Sequence, residues 1–573
     1  MAAVSPFGDG ALLVEVDDVA AAHRLSRRLD EERTGGGAPA ALGESVVGFG
    51  NVVVHLDPGP EHPEVVEAWV LDLARRIPVR SGGTPDQGGG RPVVIPVVFD
   101  GPDLGTVAAD LGTSPRAVVD ALTGAALEVA FVGFSPGFPY LVGLPAPLAS
   151  LHRRPTPRPS VPAGSVAVGG GFASVYPQCT PGGWMLLGRT SLPLFDPHRR
   201  PYALLRAGDA VRFTAERRSR GDAGATAGVP GRPLLANRGA RFAEVVAPGV
   251  LSLVEDLGRR SVAGQGVPRA GPADPEAMRL ANRLAGNPDD AAAVEATAAG
   301  PSLRFAGDAH VTVVGVGPEA VDVLVDGRPV RPGTVVPVVD GQVLSVGRVR
   351  AGLRAYLAVS GGFDIPVEVG SRASDMLCGL GPGPLRAGDR LDLGPPSRPL
   401  GLLSPPRVPF GSGRRTALRV LPGPHPVPAD RLERLLSGRW AVGAASNRVG
   451  LRLEAAADAA DGPVEYGSSG AGRDPAADRV PTTIPSTGMV TGAVQIPPDG
   501  NPIVLMPDHA TVGGYPVACC VISADLPALG QLSPGDIVEF TPVDRAAALE
   551  AKDRWERSMD ERVSGWFPTT AGA

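Results

Sequence analysis

The chain has 573 residues, 43% apolar and 20% charged, with a net charge of −6; this length divides into several domains, and the balance lacks the basic surplus of a nucleic-acid binder. Gly (77) and Pro (62) make up about a quarter of the chain, roughly twice ordinary usage, so turns are frequent and long helical bundles are excluded. There is no CxxC pair, signal-peptide pattern or membrane-length apolar run, and Lys552 is the sole lysine, which excludes a cysteine zinc site, a P-loop, a Schiff-base lysine and a biotinyl-lysine context.

Residues 11–16 read as a strand, 19–32 as a helix and 52–56 as a second strand. Val66, Trp69, Val70, Leu73 and Ile77 then share one helical face. Residues 1–85 are expected to form a small α/β module, followed by a turn-rich SGGTPDQGGGR segment (81–91). A strand at 93–99 opens the next unit, 86–215. There, Ser114-Pro115 starts a short helix through Leu122, and from Glu128 to Phe213 apolar strands are cut by Gly and Pro, the pattern of a β-barrel or sandwich.

Residues 216–241 are charged and then Gly-rich, an interdomain linker. Strand text resumes at Phe242. Asp274-Pro275 caps a helix carrying Ala277, Leu280, Ala281 and Leu284 on one face, and Gly286 ends it. A unit at 242–400 and another at 401–545 follow, separated by a low-core stretch at 395–415. Residues 546–573 read as a charged helix and tail, with Lys552 on a solvated face. The expected class is mainly β with a small N-terminal α/β module.

The chain echoes itself. GDAVRF (208–213), GDRLDL (388–393) and GDIVEF (535–540) each close a strand-rich unit, and TPGGW (180–184) and TVGGY (511–515) precede two of them. Two or three related β-barrel-like units are expected.

The densest motifs are GFSPGFPYLVGLP (133–145), RPTPRPSVPAGSVAVGG (154–170) and YPQCTPGGWMLLGRT (176–190). Phe138, Tyr140, Tyr176 and Trp184 are candidates to wall a pocket, with Gly164, Ser165, Gly182 and Gly183 bending the backbone beside them. Arg158, Arg189, Arg259 and Arg448 offer fork-shaped donors for a carboxylate or phosphate. The Gly182-Gly183 and Gly513-Gly514 amides suit a developing oxyanion. Asp256, Asp274, Asp499 and Asp508 are candidate oxygen ligands for a nucleotide-borne Mg²⁺, although Asp274 also fits an N-cap, and Asp209 and Asp536 fit turns. Gln495, Thr511 and Tyr515 are candidate pocket groups. His509 and Cys179 are weak candidates, and no resident metal site is expected.

The first half, with PGFPYLVGLP, PRPSVPAGSVAVGG and YPQCTPGGWMLLGRT, resembles the B subunit of bacterial 5-oxoprolinase, a family also labelled allophanate hydrolase subunit 1 or kinase-A-inhibitor-like. The second half, with VEDLGRR (254–260), GVPRAGPAD (266–274), ANRLAGN (281–287), VSGGFDIPVEVGSRASD (359–375), SNRVGLRL (446–453) and GAVQIPPDGNPIVLMPDHATVGGYP (492–516), resembles the C subunit (allophanate hydrolase subunit 2). The chain thus resembles a B–C fusion. The resemblance implies cyclophilin-like barrels and ATP-coupled opening of the 5-oxoproline lactam to glutamate. It further implies ATP with Mg²⁺ and, as partner, a separate A-type 5-oxoprolinase protein, with a homo-oligomer compatible. Two alternatives follow from it: the carboxyltransferase part of a urea carboxylase, or a kinase-inhibitor-like regulator. This chain departs from the family pattern in two places. A His and a Tyr that the B-type family often carries near Thr123 and Leu127 are absent, and Glu255, Arg260 and Ser261 stand where Gln, Pro and Gly are usual. A cytoplasmic protein without membrane or nucleic-acid partners is expected.

Overall fold

The computed structural model describes residues 2–57, 61–77, 90–216, 239–317, 319–397, 415–456 and 483–564. Most of the expected linker at 216–241 and of the stretch at 395–415 lies outside them.

The N-terminal module is a four-stranded antiparallel sheet in which Ala3–Pro6, Ala11–Glu15, Asn51–Leu56 and Leu42–Val47 lie side by side. Side chains alternate across a strand, and both faces are used. Leu12, Val14, Val52 and Val54 pack under helices Val19–Gly35 and Pro63–Arg75 through Leu25, Leu29, Val66 and Val70. Ala11, Leu13 and Val53 face the other way and share a core with Met489, Leu505, Val517 and Cys520 of the last unit. One small module is therefore glued to a barrel more than 400 residues later.

Two seven-stranded units have the same strand order. In the first, Pro92–Val97 runs parallel to Ala210–Ala215, followed around the sheet by Leu127–Val132, Pro139–Val142, Phe172–Val175, Ser165–Gly169 and Met185–Arg189. A bridge between Val98 and Arg189 joins its ends. In the last, Arg415–Pro422 runs parallel to Ile537–Pro542, followed by Trp440–Val442, Gly450–Ala455, Ile503–Leu505, Ala493–Gln495 and Val517–Val521, as a closed barrel. Each carries a helix between its first two strands in chain order, Pro115–Gly124 and Ala429–Ser437. Closure leaves no sheet edge unpaired.

The middle unit is different: a six-stranded and a five-stranded antiparallel sheet enclose one core containing Val245, Leu303, Phe305, Val294, Val311 and Leu357. It is a sandwich, so the expected family of two or three related units comprises two. Helix Pro275–Leu284 lies against it, its first turn capped by Asp274 Oδ1, which accepts from the Ala277 N–H at 2.9 Å.

The sequence echo has a structural cause in all three units. Asp209, Asp389 and Asp536 each accept a hydrogen bond from the backbone N–H three residues earlier, at 3.0, 2.7 and 2.7 Å. Each follows a glycine with φ near +90°: Gly208 (87°), Gly388 (88°) and Gly535 (90°). Only glycine adopts that conformation without strain, so Gly-Asp recurs wherever the chain turns into a closing strand.

The tail departs from expectation. Helix Arg545–Ser564 is docked rather than solvated: Ala548 and Met559 have no exposed surface, and Ala551 and Leu549 are buried. It touches the N-terminal module through Arg545–Glu67 and the helix Pro275–Leu284 through Arg279–Glu556 (3.0 Å), Arg283–Asp560 (2.9 Å) and Trp555 Nε1 donating to Glu276 (2.7 Å).

Candidate functional site

Besides the shared core of the N-terminal module and the last barrel, the two halves meet along a segment, residues 257–273, between Leu251–Glu255 and Pro275–Leu284. It folds back on itself, with the Arg259 N–H donating to the Arg269 carbonyl at 2.7 Å, and Gly258 (φ 83°) and Gly271 (φ 91°) make that possible. Its tip inserts into the first half. The Gln265 carbonyl accepts from the Gly137 N–H at 2.8 Å, its side chain accepts from Ala203 N at 3.0 Å, and Ala263 N donates to Glu44 at 2.7 Å. A Cβ on Gly266 would lie 2.5 Å from the Ser135 carbonyl oxygen, and one on Gly133 would lie 2.2 Å from Val512. The glycine-rich motifs of both halves are thus close-packing surfaces for one another.

Beneath this segment lies a buried charge hub. Arg448 grips Asp508 with two donors at 2.9 Å each, donates to Glu295 at 2.7 Å and to the Gly271 carbonyl at 2.6 Å, and lies 3.3 Å from Glu255. Arg354 and the Tyr356 hydroxyl complete Glu295 at 3.1 and 2.7 Å. Burial raises Glu295, but Arg448 and Arg354 outweigh it and hold the carboxyl below its usual range. Glu255 has no hydrogen-bond partner for either oxygen, and burial drives its carboxyl well above the ordinary value. Burial likewise pushes Asp375 up to about 6 and Asp274 up to about 7. The hub joins the sandwich to the last barrel, so SNRVGLRL, VEDLGRR and PDHATVGG are brought together by one guanidinium.

Between the halves opens a cavity of about 690 Å³. Asp57, Glu61 and His62 come from the N-terminal module, Arg260, Arg269, Ala270 and Pro272 from the inserted segment, Met506 and Pro507 from the last barrel, and Leu549, Lys552 and Trp555 from the tail helix. Glu61 is fixed by the Ala40 and Ala41 N–H groups at 3.1 Å each, which hold its carboxyl below the usual range. Beside the cavity, burial, Arg269 and His509 together push His55 down to about 4, and burial lowers His509 as well. Both imidazoles are therefore neutral at pH 7, and the cations of the site are arginines and a lysine. A cleft with guanidinium forks on one wall and neutral imidazoles behind it can bind an anion and stabilise charge growing on an amide oxygen. Among the described residues, no group of three or more His, Cys, Asp or Glu side chains gathers as a metal site.

The residues singled out from the sequence fall into three groups. Arg448, Asp508 and Arg259 reach the hub region; Arg259 is fully buried and donates to the Ala373 carbonyl at 2.6 Å. Asp256 fastens the neighbouring loop by accepting from Gly258 N (2.9 Å) and Arg372 N (2.6 Å). Thr511 and Gln495 form a second, buried group: the Thr511 hydroxyl has no hydrogen-bond partner, whereas Gln495 Nε2 contacts the Met489 sulfur at 3.4 Å, and a Cβ on Gly513 would press on Gln495. A Cβ on Gly514 would make ordinary contact with the Ile484 carbonyl at 3.6 Å, and Tyr515 is exposed.

The aromatic group, the third, packs ring against ring. Phe138 lies 5.1 Å from Tyr140, 5.1 Å from Tyr176 and 5.7 Å from Trp184, ring to ring, and these rings fill the space between them. Gly182 is glycine because a Cβ would collide with the Tyr176 hydroxyl at 2.3 Å; Gly164 (φ 80°) approaches the Thr190 carbonyl equally closely, and Gly183 is unhindered. Ser165 Oγ donates to the Pro162 carbonyl at 2.7 Å. Arg158 is paired with the buried Asp103 at 2.7 Å and Arg189 with Asp100 at 3.2 Å. These two forks tie barrel strands to the loop after Pro92–Val97. Asp499 accepts from Asn501 N in an exposed turn, and Cys179 is exposed beside Ser160.

His55, Arg269 and Lys552 line or flank the cleft without having been expected there. Arg269 sits inside GVPRAGPAD and Lys552 is the sole lysine, so either signal could find them; His55 carries no local signal.

Comparison with known proteins agrees with this division. Residues 2–205 match the family model for the carboxyltransferase domain, subdomain C and D, and residues 265–542 match that for subdomain A and B. Similar proteins include the C subunit of 5-oxoprolinase from Escherichia coli (32% identical over 323 residues, 56% of this chain and 96% of that protein). They also include the B subunit of 5-oxoprolinase from Escherichia coli O157:H7 (43% over 177 residues, 30% of this chain and 78% of that protein). A urea amidolyase of Lachancea kluyveri is 29% identical over 351 residues, 57% of this chain but 18% of that protein. The crystal structure of TTHA0988 superposes with a TM-score of 0.76 at 32% identity, covering 94% of this chain and 99% of that one. The chain belongs to the carboxyltransferase-domain family that includes the B and C subunits of 5-oxoprolinase, with the B-type and C-type parts fused in one polypeptide.

Proposed function

We propose that this protein is the B–C part of an ATP-dependent 5-oxoprolinase, opening the lactam of 5-oxoproline to L-glutamate together with a separate A-type protein. The observation that carries the reading is the pairing of relatives: one chain spans nearly all of a C-type 5-oxoprolinase protein and most of a B-type one. The cleft agrees with it, because Asp57 and Glu61 come from the B-type half and Arg260 and Arg269 from the C-type half. Neither half alone makes the cavity.

A lactam carbonyl is a poor electrophile. Phosphorylation of its oxygen by ATP gives a phosphorylated imidate that water attacks at carbon; the tetrahedral adduct then breaks the ring C–N bond, the nitrogen taking up a proton, and a second water hydrolyses the resulting acyl phosphate to the free carboxylate and phosphate. Negative charge on the oxygen and on the substrate carboxylate calls for fixed donors, which Arg260 and Arg269 supply from a segment held at both ends.

The test combines this protein with an A-type 5-oxoprolinase protein, ATP, Mg²⁺ and 5-oxoproline, and measures glutamate and ADP. Glutamate formation requiring every component is expected. Urea-dependent decarboxylation of carboxybiotin with no glutamate would instead establish the carboxyltransferase reading, which relatives named urea amidolyase and putative urea carboxylase favour.

A further inference from the structure

We propose that Lys552, the one lysine of the chain, is a ligand-binding residue that holds the carboxylate of a small acid in the cleft between the halves. The inference rests on the cleft being the substrate site and adds to it a residue from the tail helix, which lies beyond residues 265–542 matched to the carboxyltransferase subdomains.

Three observations converge. First, the helix that carries Lys552 is held in place on three sides. Arg545 pairs with Glu67 of the N-terminal module, Ala548 and Ala551 pack on Leu421 and Ile522 of the last barrel, and Trp555, Glu556, Met559 and Asp560 engage the helix Pro275–Leu284. A lysine in the middle of such a strap is delivered to a fixed place. Second, that place is the cavity wall, which it shares with Arg260 and Arg269. Burial and the neighbouring Arg260 both press on the Arg269 charge, with Asp57 and Glu44 opposing them. Like charges gathered on one cavity are stabilised by an anion between them. Third, carboxylates of the same wall already have partners: Glu61 two backbone N–H groups, and Asp289 and Glu556 the Arg279 guanidinium of that wall. Asp57 and Asp553 remain in the wall. Asp9, a carboxylate in electrostatic reach of Lys552, is itself occupied by the Ser523 N–H and hydroxyl at 3.0 Å.

The sequence supplies the probe. Reductive methylation with ¹³C-formaldehyde keeps the lysine charge and places one side-chain label, at Lys552, beside that of the α-amine. Titration with 5-oxoproline is expected to move the Lys552 resonance saturably. 2-Pyrrolidinone, the same ring without the carboxylate, is expected to leave it in place. In calorimetry, Lys552→Gln should bind 5-oxoproline about tenfold more weakly, the loss of one charge-assisted contact. Binding of 5-oxoproline to the native protein with an unmoved Lys552 resonance, or unchanged affinity in a folded Lys552→Gln, overturns the assignment. If 5-oxoproline fails to bind but glutamate or acetate moves the resonance, the substrate reading falls and the anion-binding role of Lys552 stands. If none of these carboxylates moves it, the role of Lys552 is refuted.

Discussion

At the scale of single residues, the hub shows how burial decides charge. Glu255, Glu295, Asp375 and Asp508 lie in one buried region with Arg259, Arg354 and Arg448, so the carboxyls outnumber the guanidiniums by one. Glu255, with neither oxygen hydrogen-bonded, is one that burial pushes well toward its protonated form. A protonated Glu has the shape and neutrality of Gln, the residue usual at this place in the VEDLGRR motif. The folded state thus holds a proton that the unfolded chain releases above about pH 4.5, and stability from this group is lost as pH rises. Glu255→Gln is expected to be more stable than the native protein, by an increment that is larger at pH 8 than at pH 5. Urea unfolding at the two values measures it; an increment that shrinks with pH would show that Glu255 is ionised in the fold.

That hub is partly legible in the sequence. Arg448 and Asp508 stand in Gly- and Pro-rich motifs whose unusual backbone marks them, and they meet. Glu295 and Arg354 are not legible, because strand residues with inward-facing charge look like ordinary alternation until the partner strands are known. The aromatic motifs are ambiguous for a related reason. Rings that wall a pocket and rings that pack on each other leave the same sequence pattern, and only the 5–6 Å ring spacings separate them.

Among elements, the Gly-Asp turn and the tail helix lie at opposite ends of legibility. The turn is local chemistry, a left-handed glycine followed by a carboxylate bonded three residues back, so its three copies can be read directly. The tail helix has low apolar content, and its buried side is two alanines, a leucine and a methionine. Its ion pairs, being partly exposed, contribute little singly. Met559, without exposed surface against Ala277, Leu280, Leu284 and Tyr356, contributes more. Met559→Ala is expected to cost about 2–5 kcal/mol of stability, and Arg545→Ala under about 1 kcal/mol, both by denaturant unfolding. Equal and small losses would mean that the helix is not docked in solution.

For the whole molecule, the decisive feature is a cleft made from parts nearly 500 residues apart, Asp57 and Lys552 among them, which no local pattern could reveal. Its assembly makes a pH prediction. Burial first, then Arg269 and His509, hold His55 at about 4, against about 6.5 in an unfolded chain. Between those values the unfolded state takes up a proton that the folded state refuses, so stability is complete above pH 6.5 and falls as the pH drops toward 4. His509 and His425, also lowered, act in the same direction. Asp9, Glu44, Glu255, Asp274 and Asp375, raised by burial, act in the opposite one, so the pH curve of the native protein alone cannot isolate His55. A difference can. His55→Gln removes the titrating group and is expected to spare about 1 kcal/mol of the stability that the native protein loses between pH 7 and pH 5. Parallel urea-unfolding curves for the two proteins across that range would mean that His55 titrates freely, and that the cleft stands open to water at the point where the halves meet.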